Sequence, residues 1–348
     1  MLSRVADSIY WMARYMERAE NLARLLMANQ SLMLDLGSAD DGAFWQPILM
    51  TTGDEAGFRA VFPDISAHRV QEYLTSHPGN NNSVINCIRT ARENARMVRD
   101  QLTDEVWRAV NDLYLFVTGP KGEAMRNESP TDFYETIMQG SGLFQGTYRA
   151  TMMRDEGWQF FQIGTYLERA DKTSRLVDAC SSVPLVVPPH PDARPLRWQA
   201  LLRSCSAQHG YRENNSTLDP TAVLDFLFLS EQFVRSVRFC VREVSNALKA
   251  LPVPPHSPVA RQPARMCTKL FNDVDFATIE EILEVGIHEY IDSLQARLNA
   301  IGEALFETHV LYADLTPVED TAPAITRTVA PLGAWHSDQE IQIQQQQQ

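Results

Sequence analysis

The stretch "YMERAENLARL", residues 15 to 25, returns as "YLERADKTSRL" at residues 166 to 176. Tyr15/Tyr166, Glu17/Glu168, Arg18/Arg169, Ala19/Ala170, Arg24/Arg175 and Leu25/Leu176 are identical, and Glu20 becomes Asp171 with its charge kept. The copies lie 151 residues apart (166 − 15). A second block follows in the same order. "SVINCIR" at 83–89 matches "SVRFCVR" at 236–242 in Ser83/Ser236, Val84/Val237, Cys87/Cys240 and Arg89/Arg242, 153 residues apart (236 − 83). Two blocks in one order at nearly one spacing predict an internal duplication, with halves of about 1–150 and 151–312. The period is too long for a solenoid repeat. Duplicated halves often pack about a pseudo-twofold axis, so equivalent helices meet.

Helical periodicity runs through almost the whole chain, which predicts an all-α helical bundle. In the first helix Val5, Met12, Tyr15, Met16, Ala19, Leu22, Ala23 and Leu26 fall on one face at about 100° per residue. Glu17, Glu20, Asn21 and Arg24 fall on the opposite side. Ser3 is the expected N-cap and Gly37 the expected stop. Further helices are expected over 83–102, from Asp104 to Gly119, over 131–149 with Thr131 or Asp132 as cap, 155–179, 196–210, 220–249 and 275–312. Residues 37–82 are mixed. The Pro-rich stretches 183–195 and 251–265 read as linkers, and the Gln-rich tail 313–348 as disordered.

Composition narrows the function. A net charge of −13 argues against a nucleic-acid binder, which needs a basic face. No apolar run reaches the roughly 18 residues of a membrane span. The five cysteines are odd in number and widely spaced, as expected of buried thiols in a reducing cytoplasm. Of 31 cations 27 are Arg and 4 are Lys, a bias toward guanidinium forks that match carboxylate or phosphate.

The charged faces are the candidate site. Glu17 and Glu20 project from one helix side, and Glu168 with Asp171 repeats them. Glu20 with Arg24 and Asp171 with Arg175 stand at i, i+4 in the favoured orientation. Arg89, Arg92, Arg96 and Arg99 form one Arg stripe, and Arg235, Arg238 and Arg242 a shorter one. One account is salt-bridged pairing, on the surface or as buried forks across the bundle. The other is a ligand site using Glu17, Arg18, Glu20, Arg24, Arg92, Arg96, Glu168, Arg169, Asp171, Arg175, Arg238 and Arg242. A metal is not expected, because the Glu-x-x-His signature of di-iron bundles is missing and the histidines do not cluster with the acids. No Walker loop, GxGxxG or GxSxG occurs.

Four blocks, "MLSRVADSIYWMARYMERAENLARLL", "ARENARMVRDQLTDEVWRAVNDLY", "TMMRDEGWQFFQIGTYLERADKTSRLVD" and "FVRSVRFCVREV", together resemble the bacterial alpha-E family over residues 1–312. Thr165, where the family tends toward Arg, Val234, where it often has Pro, and the Gln-rich tail depart from its pattern. The resemblance implies an all-helical domain. It also implies partnership with circularly permuted ATP-grasp ligases and with transglutaminase-like peptidases. No cofactor is expected of the chain itself; ATP and Mg would come through the partner ligase. Three functions are then open. The chain is a helical accessory or substrate-handling component of an amide- or peptide-bond-forming system, holding an amino-acid, peptide or phosphate group on its Glu/Arg faces. It is an enzyme with Glu17 or Glu168 as acid/base. Or it is a structural interaction bundle.

Overall fold

The computed structural model describes residues 1, 3–37, 42–182, 193–252 and 260–309, and among them every regular element is helical. The central helix α1 (Ser3–Leu36) ends at Gly37, whose φ of +65° is a left-handed conformation that glycine adopts without a Cβ clash. Ser3 is the first helical residue rather than the residue before it. The mixed stretch after it holds α2 (Gly42–Thr52), α3 (Glu55–Val61) and α4 (Ala67–Thr75). α5 (Val84–Met97) opens on Ser83, whose hydroxyl accepts from the Asn86 backbone N–H, and a 3₁₀ turn, Arg99–Gln101, closes it. α6 (Asp104–Thr118), α7 (Pro120–Glu128), α8 (Pro130–Thr151) and α9 (Glu156–Ser182) follow.

The remainder is α10 (Ala193–Ser204), α11 (Gln208–Asn214), α12 (Pro220–Leu229), α13 (Val237–Ala250), α14 (Gln262–Asp275), α15 (Ile279–Val285) and α16 (Ile287–His309). Three expected single helices are broken. The 196–210 helix stops short of Ser206, which has φ +52°. The 220–249 helix divides because Ser236 caps α13 through the Phe239 N–H. The 275–312 helix divides at Gly286, φ +100°, and is preceded by the Thr278–Glu281 capping box of α15. Side-chain-to-backbone hydrogen bonds override the apolar period at Ser236 and Thr278, and left-handed backbone does so at Ser206 and Gly286.

The caps and linkers also need correction. Thr103, not Asp104, caps α6, and α8 begins at Pro130 with Ser129 before it. Residues 193–195 and 262–265, assigned above to Pro-rich linkers, are helical. Pro195 and Pro263 lie in first turns, where a missing N–H breaks no intrahelical bond. Residues 183–192 and 253–259 of those linkers, and the tail 313–348, lie outside the described residues.

The order of elements recurs. Ala67 of α4 and Pro220 of α12 start 153 residues apart (220 − 67), as do Val84 of α5 and Val237 of α13 (237 − 84). Ser3 and Glu156 are likewise 153 apart (156 − 3), and Pro130 and Ile287 are 157 apart (287 − 130). Packing follows the same plan. α1 lies against α5 and α8, and α9 against α13 and α16. α1 and α9 pack on each other, α2 reaches across to α9, and α10 reaches across to α1.

The middle turns of α1 and α9 are therefore largely enclosed. Met12, Met16, Ala19, Ala23 and Leu26 of α1 and Phe161, Ile163 and Ala170 of α9 are inaccessible or nearly so. Burying a large apolar side chain of this kind contributes about 1.5–3 kcal/mol. No helix among the described residues is long and apolar enough to cross a membrane.

Candidate functional site

The polar side of α1, expected opposite the core, is itself buried. Glu17 is 1% exposed, Glu20 4% and Glu168 0%. The cause is the crossing of α1 and α9: each helix turns its Glu-Arg face toward the other. The two copies then exchange partners. Arg169 Nε donates to Glu17 Oε1 at 3.0 Å and its Nη2 to Glu17 Oε2 at 2.7 Å. Arg18 Nε donates to Glu168 Oε1 at 2.7 Å and its Nη2 to Glu168 Oε2 at 3.2 Å. Two bidentate forks of the same geometry thus join residues 152 and 150 apart in the chain.

Each arginine also lies over the tyrosine three residues before it. Arg18 is 5.2 Å from the Tyr15 ring centroid, and Arg169 is 5.2 Å from that of Tyr166. This accounts for the tyrosine in both motif copies.

The surroundings of the forks differ. Arg235 Nη1 donates to Glu17 Oε1 at 2.8 Å and to Asn21 Oδ1 at 3.0 Å, and its Nη2 to Glu20 Oε1 at 2.6 Å. From α8, Ser141 donates to Glu20 Oε2 at 2.8 Å, and the Gln145 amide to Glu20 Oε2 at 2.9 Å and Glu17 Oε2 at 3.1 Å. Around Glu168 the extra cations are Arg14, with Nε at 2.7 Å, and Lys172, with Nζ at 3.6 Å. Lys172 and Arg175 also flank Asp171, at 3.1 and 3.0 Å. Asn82 accepts from Arg18 Nη1 at 2.6 Å, at the place before Ser83 that Arg235 holds before Ser236.

These contacts fix the charges. Burial would raise the Glu17 carboxyl, but the Arg169 and Arg235 guanidiniums outweigh it and hold it at about 2. Burial likewise opposes ionisation of Glu168, and Arg18, Arg14 and Lys172 drive it well below the usual carboxylate range. Asp171 stays at about 2 because Lys172 and Arg175 overcome its burial. A carboxylate of that acidity is a weak base at neutral pH. The lone pairs of Glu17 are also taken by Arg169, Arg235, Asn21 and Gln145.

The structure brings together Glu17, Arg18, Glu20, Arg24, Glu168, Arg169, Asp171 and Arg175 from the expected set. It does not bring in the others. Arg92 lies over Trp107 and Tyr114 and bonds Glu93, Arg96 pairs with Glu93, Arg238 with Glu231 and Asp275, and Arg242 with Glu243. An i, i+3, i+7 stripe describes a face without saying what the face meets. Arg14, Asn21, Ser141, Gln145, Lys172 and Arg235 complete the cluster and were not candidates. Arg14 and Lys172 stand within a turn of their Glu-Arg copies, and Arg235 precedes the repeated "SVRFCVR" block, so proximity to the repeat was the available signal. Ser141 and Gln145 carried none, since α8 reaches the cluster only through tertiary packing.

No solved structure matches the chain. Uncharacterized proteins of Mycobacterium bovis and Mycobacterium tuberculosis are 26% identical to it over 97% of its length. The chain spans 38% of those relatives, well under half of their length. The family model for Alpha-E, a predicted alpha-helical domain with a conserved ER motif, matches residues 1–310. Glu17-Arg18 and Glu168-Arg169 supply that dipeptide twice, at the two forks that join α1 to α9, and the chain belongs to the Alpha-E family.

Proposed function

We propose that the chain is a helical accessory or substrate-handling component of an ATP-grasp-linked system that forms or modifies amide or peptide bonds. The association with a circularly permuted ATP-grasp ligase, and with a transglutaminase-like peptidase, rests on the family resemblance. The observation that carries the accessory role is the pair of saturated Glu-Arg forks. Glu17 and Glu168 are buried, held ionised by the arginines beside them and fully bonded, which suits a clasp between two helices and not an acid/base centre. That the matched relatives extend well beyond this unit supports its working beside other modules. Within the cluster the partly open cations are Arg175, with 30% of its side chain exposed, Lys172 with 19%, and Arg18 and Arg24 with 16% each. Of these Arg24 and Arg175 pair within their own helix and hold no fork between α1 and α9, which supports reading them as the members that meet an amino-acid, peptide or phosphate group. From the recurrence of helix order we also infer that the unit arose by duplication.

The test is ATP turnover. The purified chain, given ATP, Mg²⁺ and amino acids, is followed for ADP release with and without the ATP-grasp protein. Turnover that requires the ligase and changes when this chain is added supports the reading. Turnover by this chain alone, abolished in Glu17→Gln, overturns it.

A further inference from the structure

Beyond the forks, the same two helices border a small cleft of about 80 Å³ that opens to solvent between α1, α2, α9 and α10. Leu25 and Leu176, the last residues of the two motif copies, stand in its wall with Phe44, Ile48 and Leu201. Four polar side chains interrupt this apolar lining: Thr51 and Ser204, whose hydroxyls donate to the Pro47 and Ala200 carbonyls of their own helices, and Asn29 and Arg197. Asn29 is 5% exposed, and its Nδ2 has no hydrogen-bond partner among the described residues. Arg197 is half-buried, and no carboxylate among the described residues pairs with it.

Arg197 contrasts with the rest of the seam, where Arg14, Arg18, Arg169 and Arg235 each hold a carboxylate. Burial draws its guanidinium below its ordinary range, as expected of a cation that no carboxylate among the described residues meets. Its charged-state neighbour would be Cys180, but burial pushes that thiol up to about 12, so it is neutral at ordinary pH and supplies no counter-charge. At the matching place in α2, 151 residues earlier, stands Gln46, whose amide bonds Glu55 (197 − 46 = 151). The unsatisfied cation thus belongs to one half only.

Asn29 Nδ2 and Arg197 are both donors, and apart from the Thr51 and Ser204 hydroxyls, which bond within their own helices, the remaining wall is apolar. We propose that the cleft binds a small carboxylate with an apolar body, its two oxygens taken by Arg197 and the Asn29 amide and its hydrocarbon part laid against Leu25, Phe44 and Leu176. Guanidinium meets a carboxylate as a planar two-bond fork. Pockets that hold such ligands combine a mainly apolar wall with a few convergent polar groups. The site is independent of the accessory role proposed above and does not need the ligase.

Butanoate is the probe, titrated calorimetrically into the intact chain beside butan-1-ol and butylamine. The expected result is one saturable butanoate site per chain, at least tenfold tighter than either comparator. Arg197→Ala should reduce butanoate to the level of the alcohol, Arg197→Lys should retain part of the preference, and Ala200→Trp, which fills the cleft, should abolish uptake. Circular dichroism checks that each variant is folded. A second readout needs no variant: butanoate should slow alkylation of Cys180, which lines the cleft, and butan-1-ol should do so less. Absence of saturable uptake at millimolar butanoate, equal binding of acid and alcohol, an Arg197→Ala protein that binds as the parent does, or unprotected Cys180 would each overturn the proposal.

Discussion

Glu17 takes both forks of Arg169, the arginine of the other motif copy, while its own neighbour Arg18 goes to Glu168. The exchange makes each Glu-Arg dipeptide half of two ion pairs that cross from α1 to α9. Removing any one of the four leaves a buried charge with fewer partners than its burial requires.

Glu17→Ala is therefore expected to destabilise the fold by about 3–5 kcal/mol, because Arg169 and Arg235 remain buried facing a void. Arg169→Ala should cost about as much. The double variant should cost less than their sum, by about 1–3 kcal/mol, since the second change removes a charge the first left unpaired. Urea unfolding of the four proteins measures this. Strict additivity would show that the fork carries no coupling.

Acid should loosen the clasp. The folded-state pKa of Glu17 and Asp171 is about 2, and that of Glu168 lies well below the carboxylate range. In the unfolded chain these groups titrate at ordinary values near 4. A depressed carboxylate contributes its stability fully above its unfolded value and loses it as pH falls through the folded one. Stability should thus be level with respect to these groups above about pH 5 and fall steeply toward pH 2, with less slope in a Glu17→Gln variant. Melting temperatures across that range check it.

Asp7 should act in the opposite sense. Burial raises its carboxyl to about 6, against a weaker lowering by Trp11, and its Oδ1 has no hydrogen-bond partner among the described residues. A raised carboxylate costs nothing while protonated, and its cost grows as pH rises from its unfolded value to its folded one. Asp7→Asn is expected to stabilise the protein at pH 7, by about 1–3 kcal/mol, and to lose that advantage toward pH 4. An equal effect at both pH values would exclude this cause.

The crossing of α1 and α9 depends on a missing side chain. A Cβ added to Gly164 would lie 2.5 Å from the Tyr10 carbonyl oxygen and 3.2 Å from Ala13 Cβ. Gly164 and Ala13 are themselves 151 residues apart (164 − 13), so the small pair sits at matching places in the two helices. Alanine normally gains about 0.5–1 kcal/mol over glycine inside a helix. Here Gly164→Ala is expected to destabilise by about 1–3 kcal/mol instead, because backbone and not a flexible side chain must yield. Gly164→Leu should part the helices, seen as lost near-ultraviolet dichroism with helix content retained. A stabilised Gly164→Ala would refute the close approach.

The all-helical fold was legible in the sequence because its signals are local. The period that put Met12, Met16, Ala19 and Ala23 on one face needs only a few turns of chain, and Gly37 ends α1 by its own backbone freedom. The doubled Glu-Arg motif was legible for the same reason. Helix breaks at Ser206, Ser236 and Gly286 were harder, since single residues overrule the period there.

The sequence by itself determined that α1 and α9 each carry a Glu-Arg face of the same spacing, and that these faces belong to helices. Only the tertiary structure decided that the faces meet. Periodicity places Glu17 opposite Met12 and Met16 but cannot say whether water or protein covers that side. The answer depends on where α9, α8 and the start of α13 lie, and those contacts join residues more than a hundred positions apart. Small residues at Ala13 and Gly164 let the two helices approach closely, and at that distance the charged faces had to satisfy each other.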